Sequence, residues 1–316
     1  METRARLARA LTNPVLFLRG CNRQFHRRLG LRPHNPDGIA VFEADWDALV
    51  VLDACRYDVF ERRSDLPGRL ERRRSRGSTT VEFLRANVAG RDLTDTVYVT
   101  ANPQLSQHRE SIRPDFHEVV DVWREDGWDD DHGTVLPETV TTYAKRAAEE
   151  HPNKRLVVHY MQPHYPFVGS GTTFDEGHLD GAGDGENVWN RLLTGRLDVD
   201  REEIWRLYAE NLDRALPHVE SLVESLDGRT VVTADHGNMV GERSFPIPFR
   251  EWGHPRGVYT DELVEVPWLV HESGPRRTVT HGAPDSQDNE ADDADGSGEA
   301  DESVVAERLR DLGYAE

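Results

Sequence analysis

The sequence predicts an α/β fold: a three-layer α/β/α sandwich around a mostly parallel central sheet. Two observations carry this expectation. Between Ala48 and Val270, short β-rich runs alternate with helical stretches, an order that places helices on both faces of a sheet. Several of those runs are almost continuously apolar, as strands buried on both faces must be. A length of 316 residues suits one large domain with appendages and leaves ample material for a core.

Taken in order, residues 1–40 read as a basic amphipathic arm. The first 32 residues hold eight arginines and one acid, Glu2; this local +7 leaves −27 on the remainder of a chain whose total is −20. The arginines alternate with Leu7, Leu11, Val15, Leu16, Leu18, Phe25 and Leu29, which predicts one or two short helices interrupted at Pro14. Such an arm can lie on an anionic membrane surface or dock back onto its own acidic body, and the sequence leaves both open. Residues 41–280 form the α/β domain. Strands are expected at Ala48–Leu52, Thr96–Thr100, Leu156–Tyr160, Thr230–Thr233 and Val266–Val270, with helices at Pro137–Glu150 and Glu202–Leu226. Gly169–Gly185 reads as a surface loop. Residues 281–302, with nine acids and no lysine or arginine, read as a disordered, solvated loop. Residues 303–316 then return as a C-terminal helix, with the amphipathic stretch Val304–Leu312 closing at Gly313.

Charge narrows the function classes. Lys+Arg is 38 against Asp+Glu 58, so the average surface repels a phosphate backbone and nucleic acid is excluded as a general partner. Only Lys145 and Lys154 are lysines. Abundant carboxylate with almost no lysine suits a proteome in concentrated salt, where the Debye length falls to about 3 Å or less and self-repulsion costs little. A halophilic, archaeal source is the expectation. No apolar run is long enough to span a membrane and the first 30 residues lack the apolar core of a secretory signal, so the expected location is cytoplasmic, with membrane association through the arm. Cys21 and Cys55 are too few for a disulfide framework or a cysteine zinc site.

In parallel sheets ligands sit beyond the carboxyl ends of the strands, and chemistry-bearing residues follow each run here. Asp53 follows the first strand; it is either a metal or catalytic position or a helix N-cap. Arg56 and Asp58 nearby read as structural. Asp235 and His236 follow the fourth strand, with Gly237 next to permit a sharp turn that aims both into the cleft. A carboxylate beside an imidazole suits zinc or manganese better than calcium or magnesium. His254 lies on a loop, in "WGHPRG". The third strand leads into "HYMQPHYPF", in which His164 is the better-placed histidine, while His159 lies within the strand and reads as a packed core residue. Ser78, Thr79 and Thr80 precede a helix-like stretch, where a hydroxyl is either a nucleophile favoured by the helix terminus or an N-cap; local reasoning does not separate the two.

The whole set, in chain order, resembles the alkaline phosphatase superfamily, specifically its sulfatase-like and phosphoglycerol- or phosphoethanolamine-transferase-like branch. The most specific part is "VVTADHGNMVGE…GHP…ELVEVPWLV", and the resemblance runs over roughly residues 45–271, with "RLRDLGY" similar to the end of such chains. It implies that Asp53, Asp235, His236 and the alkoxide of Thr80 bind one divalent metal ion, with Thr79 as the alternative nucleophile. It implies that His164 and His254 face the transferred group, and that Asp213 is structural. "TTVEFL" lacks the Pro and Arg of the formylglycine motif, and Cys55 is too close to Asp53, so a formylglycine sulfatase is not expected. The implied activity is a metal-dependent hydrolase or transferase acting on phosphate esters, or sulfate esters, through a threonine nucleophile. The implied substrates are phosphate or sulfate esters, glycan- or lipid-linked ones included. The alternative is a non-catalytic relative that binds metal or an anionic glycan or lipid headgroup.

Overall fold

β1 (Ala48–Leu52) consists only of Ala, Leu and Val, and every one of its side chains is buried, a composition that suits the middle of a covered sheet. In the computed structural model, which describes residues 13–124, 126–169, 187–282 and 297–314, β1 is the central strand of seven. In chain order the strands are β2 (Arg69–Arg74), β3 (Asp92–Thr100), β4 (Asp115–Asp121), the short β5 (Trp128–Asp129) and β6 (Thr134–Val135), β7 (Arg155–Tyr160), β8 (Gly228–Ala234), β9 (Met239–Arg243), β10 (Arg250–Gly253) and β11 (Glu265–Ser273). The large sheet runs β2-β11-β8-β1-β7-β3-β4, while β5–β6 and β9–β10 are separate two-stranded ribbons. From β8 to β4 all pairings are parallel; β11 alone runs against its neighbours β8 and β2. The expected α/β sandwich is therefore present.

Strand alternation divides the core. Ala48, Val50 and Leu52 face helices Tyr57–Arg63, Pro137–Glu150 and Arg201–Ser225, whereas Leu49 and Val51 face Phe83 and Leu84 of helix Thr80–Asn87, with Leu105 and Ile112. All five expected strands are present, with β3 starting earlier, at Asp92. β2 (RLERRR) and β4 (DFHEVVD) were not expected, because their apolar periodicity is broken by charge. Both are sheet edges, where charged side chains block further strand pairing. Arg72 and Arg74 of β2 pair with Glu265 and Asp261 instead.

The arm's helix runs Pro14–His26, and Pro14 begins it rather than interrupting it. Proline has no N–H to satisfy, and at the first helical position none is needed. This helix docks on its own domain. Arg19 donates from Nε (3.0 Å) and Nη2 (2.5 Å) to Oε1 of Glu251, whose side chain is fully buried, and from Nη1 to Asn190 Oδ1 at 2.9 Å. Buried Asn22 exchanges hydrogen bonds with Ile247 and donates to Ser244 Oγ. The arm's first 12 residues, most of the loop expected at Gly169–Gly185, and residues 283–296 of the acidic segment lie outside the described residues. The C-terminal helix begins at Ser297, several residues before the amphipathic stretch, and ends at Asp311. It buries Val305 and Leu309, Leu312 is buried just past its end, and Gly313 turns the chain back with φ +76.

Removing Arg19 would leave Glu251 buried without its cation. Arg19→Ala should therefore lower the unfolding free energy by about 3–5 kcal/mol, and adding Glu251→Gln should recover much of it. Denaturant titration of the single and double variants checks this; a loss below about 1 kcal/mol in the single variant would show that the pair does not hold the helix.

Candidate metal centre and nucleophile

Strand register assembles the site. Leu52 pairs with Ala234 on one side and Tyr160 on the other, so Asp53 and Asp235 leave adjacent parallel strands side by side. His159 sits one step back on β7, level with Val51 and Thr100. Asp53, His159, Asp235 and His236 all have 0% relative exposure, which for ionisable groups demands partners.

Half of each carboxylate has them. Asp53 Oδ2 accepts from Asn102 Nδ2 (2.5 Å) and from the Tyr314 hydroxyl (2.8 Å). Asp235 Oδ1 accepts from the backbone N–H of Ala54 (3.0 Å) and of His236 (2.8 Å). Ala54 reaches it from a left-handed conformation, φ +59, a region a non-glycine residue enters at a cost of roughly 1–2 kcal/mol. The other oxygens, Asp53 Oδ1 and Asp235 Oδ2, are buried and have no hydrogen-bond partner, and nor has His159 Nε2. Asp53, His159 and Asp235 each offer a ligand atom within 4.8 Å of the others, a buried group able to hold a divalent ion. Burial, then the charge of Asp235, pushes the Asp53 carboxyl well above its ordinary range.

The donors around this point are oriented for a cation. His236 gives its Nδ1–H to the Gly237 carbonyl (2.8 Å), which leaves Nε2 as a lone pair 3.3 Å from Asp235 Oδ2 and 3.6 Å from Asp53 Oδ1. His159 Nδ1 meets the Tyr98 hydroxyl at 2.7 Å, with Nε2 3.9 Å from Asp53 Oδ2 and 3.8 Å from Asp235 Oδ2. His159 is thus no mere packing residue, contrary to the expectation from sequence. Its strand position hid it: an apolar run looks the same whether its one histidine faces a core or a neighbouring carboxylate. Gly237 is needed here for its size. Its φ is not positive; the missing side chain matters because a Cβ would stand 2.1 Å from the Glu262 carbonyl oxygen.

The hydroxyl cluster is resolved by geometry. Thr79 is the N-cap of helix Thr80–Asn87 and accepts from the Glu82 N–H at 3.4 Å. Ser78 bonds Glu82 Oε2 and the Pro255 carbonyl. Thr80, the first helical residue, instead turns Oγ1 toward the cluster, 3.5 Å from both Asp53 Oδ2 and His236 Nε2. Glu82 is buried and also accepts from the Gly257 N–H (3.2 Å), which ties the start of this helix to the loop bearing His254.

His164 and His254 form a pair, Nε2 to Nε2 at 2.9 Å. The Tyr165 carbonyl, 2.5 Å from His164 Nδ1, can only accept, so His164 carries its proton there and His254 donates to it from Nε2. Burial holds the His164 and His159 pKa values down to about 4, and that of His254 well below the ordinary histidine value. The His254 ring lies 4.7 Å from that of His236. Arg56 and Asp58 pair with each other at 2.8 Å and Asp213 pairs with Arg63 at 3.3 Å, away from these donors.

Two participants were given no role from sequence, although Tyr314 ends the "RLRDLGY" stretch. Asn102 follows β3 in "TANPQ" and carries no motif of its own. Tyr314 arrives from the C-terminal helix, stacks on His164 (centroids 4.7 Å apart, 14° between planes) and sets its hydroxyl 3.4 Å from Thr80 Oγ1. A cavity of about 620 Å³ opens beside them; Thr80, His254 and Tyr314 line it with Arg19, Arg256 and Arg310.

No protein-family model matches the sequence, and no curated protein matches it. Solved structures similar to the chain include the soluble domain of lipooligosaccharide phosphoethanolamine transferase A from Neisseria meningitidis (13% identity, 72% of this chain and 75% of that one, TM-score 0.41). The C-terminal periplasmic domain of phosphoethanolamine transferase EptC from Campylobacter jejuni is similar at 12% identity, over 71% of this chain and 78% of that one, with a TM-score of 0.45. A protein in the alkaline phosphatase superfamily from Vibrio parahaemolyticus is similar at 11% identity, over 80% and 65%, with a TM-score of 0.44. What this site can do is read from its own atoms.

One consequence is a pH dependence. The fold keeps His164 neutral down to about pH 4, while the unfolded chain protonates it near 6.5, so its contribution is complete above 6.5 and is lost as pH falls from there toward 4. Between about pH 7.5 and about pH 5, His164→Phe should lose about 2 kcal/mol less stability than the wild type in metal-free denaturant titrations. Equal losses in the two proteins would mean that His164 is not held neutral.

Proposed function

We propose that the chain is a metal-dependent hydrolase or transferase of phosphate esters, with sulfate esters the second substrate class, and that Thr80 is its nucleophile. The observation that carries this is the convergence of unpartnered, buried ligand atoms on one point beside a hydroxyl that opens to a cavity. The residue pattern that resembles the alkaline phosphatase superfamily supports the same reading.

Asp53, Asp235 and His236 would hold the ion, with Thr80 beside it and His159 available as a further ligand. Two carboxylates with imidazoles suit zinc or manganese over calcium or magnesium. Bound there, a divalent ion supplies Lewis-acid neutralisation of phosphoryl oxygens and lowers the pKa of a neighbouring hydroxyl.

The chain's own residues do the rest. Thr80 points its hydroxyl at Asp53 Oδ2, the carboxylate within reach of its proton. Its oxygen forms a bond to phosphorus, the bond from phosphorus to the leaving alcohol breaks, and a phosphothreonine results. Water or an acceptor alcohol then attacks phosphorus, breaks the bond to Thr80 and returns the hydroxyl. His254, held neutral, can turn its Nε2–H from His164 to a non-bridging oxygen, while His164, whose own proton is held by the Tyr165 carbonyl, positions that ring, and the departing alcohol takes its proton from water. Asn102 and Tyr314 keep the Asp53 carboxylate turned toward the ion. Arg310 lines the cavity with Arg19 and Arg256, whose charges are shared with Glu251 and Glu82, and these guanidinium donors suit anionic esters, glycan- or lipid-linked ones included.

Thr80 provides the test. Thr80→Ala should keep the fold and metal uptake yet lower turnover by about 10⁴-fold or more, and Thr80→Ser should retain part of it. Activity is read on a panel of phosphomonoester, phosphodiester and sulfate-ester substrates in concentrated salt, with metal analysis of the same samples. Phosphate trapped on the peptide spanning Ser78–Leu84 after acid quenching would identify the intermediate. Undiminished activity in Thr80→Ala refutes the nucleophile. Metal uptake without turnover on any ester favours the non-catalytic alternative. Asp53→Asn should abolish the rise in melting temperature that added metal produces, since an ion that binds only the folded state stabilises it by mass action.

A further inference from the structure

Among the described residues, six large apolar side chains are exposed, and five of them line a single groove of about 1350 Å³: Phe17 (60%), Phe25 (54%), Leu29 (84%), Leu31 (84%) and Phe245 (57%). Scattered apolar residues on a surface need no explanation, but a gathered patch marks a contact. The charge around this one runs against the rest of the chain. Arg23, Arg28, Arg32 and Arg74 line the same groove with one acid, Asp37, on a protein whose total is −20. Arg23, Arg28 and Arg32 form no ion pair among the described residues, so their charge is uncommitted.

The patch is held rigid at some cost. Three successive residues, Arg28 (φ 46), Leu29 (φ 56) and Gly30 (φ 94), occupy the left-handed region, two of them without glycine's freedom. Hydrogen bonds from the Leu29 N–H to the Gln24 carbonyl (2.9 Å) and from the Arg32 N–H to the Arg27 carbonyl (3.0 Å) lock this turn, which presents Leu29 and Leu31 to solvent. Phe245, at the tip of the β9–β10 ribbon, is fastened beside it: its carbonyl meets His26 Nε2 at 2.9 Å and its ring packs edge-on to Phe25. The left-handed turn caps helix Pro14–His26, and what capping leaves unexplained is that the turn sets Leu29 and Leu31 into solvent beside Phe25 and Phe245, an exposure that points to an apolar environment outside the protein.

We propose that this surface docks the protein on an anionic lipid bilayer, with Leu29, Leu31, Phe25 and Phe245 entering the apolar boundary and the arginines meeting lipid phosphates. A bilayer supplies both chemistries in the order the patch presents them, apolar beneath anionic. A two-fold pairing of the patch with itself would set arginine against arginine. In concentrated salt the repulsion of the acidic body is screened over about 3 Å or less, while apolar insertion and contact ion pairs persist. Helix Pro14–His26 carries Phe17 and Phe25 on this surface and Arg19 on the wall of the cavity beside Thr80. Docking would therefore put the cavity about one helix diameter, roughly 10 Å, from the lipid headgroups. The inference stands on the patch and does not require that Thr80 be a nucleophile.

The test is flotation of the full chain, in multimolar salt, with vesicles of phosphatidylglycerol and with vesicles of phosphatidylcholine. The wild type should float with the anionic vesicles, and more weakly with the neutral ones. Leu29→Asn combined with Leu31→Ser should reduce binding by about tenfold or more with an unchanged melting temperature, asparagine being compatible with the left-handed turn. Arg23→Glu combined with Arg28→Glu should abolish the preference for anionic lipid. Thr80→Ala should float like the wild type, which separates this result from the fate of the proposed reaction. Absence of flotation by the wild type, flotation undiminished in the leucine variant, or a dimer in solution that the leucine variant dissociates would each overturn the proposal.

Discussion

Two buried carboxylates side by side are the constraint to which the rest of the site answers. Asp53 and Asp235 end neighbouring parallel strands because Leu52 and Ala234 are in register, and both side chains are fully buried. Like charges a few ångströms apart in such a place repel by several kcal/mol even at an effective dielectric constant of about 20. The fold answers asymmetrically. Asn102 and Tyr314 satisfy one oxygen of Asp53, two backbone N–H groups satisfy one oxygen of Asp235, and the remaining pair is left bare, facing the same place as His159 Nε2. A cation relieves that arrangement, and the left-handed backbone of Ala54 is tolerated because it helps to build it.

Around that centre the supporting contacts are long-range and specific. Glu82 accepts from Ser78 and Gly257, so one buried carboxylate sets both the start of the helix bearing Thr80 and the loop bearing His254. Thr79 caps that helix, which frees Thr80 to face inward. Tyr98 sets the ring of His159 from the neighbouring strand, and the Gly237 carbonyl sets that of His236. Each of these side chains is thus oriented by a neighbour that does not itself face the centre.

The terminal segments serve the cavity as well. Helix Pro14–His26 places Arg19 on its wall, anchored by buried Glu251. The C-terminal helix is held by Val305 and Leu309, with Leu312 just past its end, and through the turn at Gly313 it delivers Tyr314 to the Asp53 carboxylate. Parts of the chain that read as appendages complete the enclosure of the centre.

By itself, the sequence determined the sheet and the ends of its strands. Apolar runs such as ALVVL bury themselves on both faces wherever they lie, and the residues that follow them, Asp53, Asp235 and His236, are delivered to the carboxyl edge by strand geometry alone. The helices at Pro137–Glu150 and Arg201–Ser225 were legible for the same local reason, a periodic apolar face. The charged edge strands β2 and β4 were not, because their pairing partners rather than their periodicity make them strands. Local pattern did not separate Thr79 from Thr80, which only the family resemblance ranked, because both are good caps and the difference lies in which hydroxyl meets Glu82 and which meets Asp53 and His236. Tertiary structure decided this, as it decided that His159 faces two carboxylates and that Tyr314 crosses 261 residues of sequence to reach Asp53. Local pattern records which face of an element is apolar; what stands opposite a polar atom is set by the other elements that pack against it.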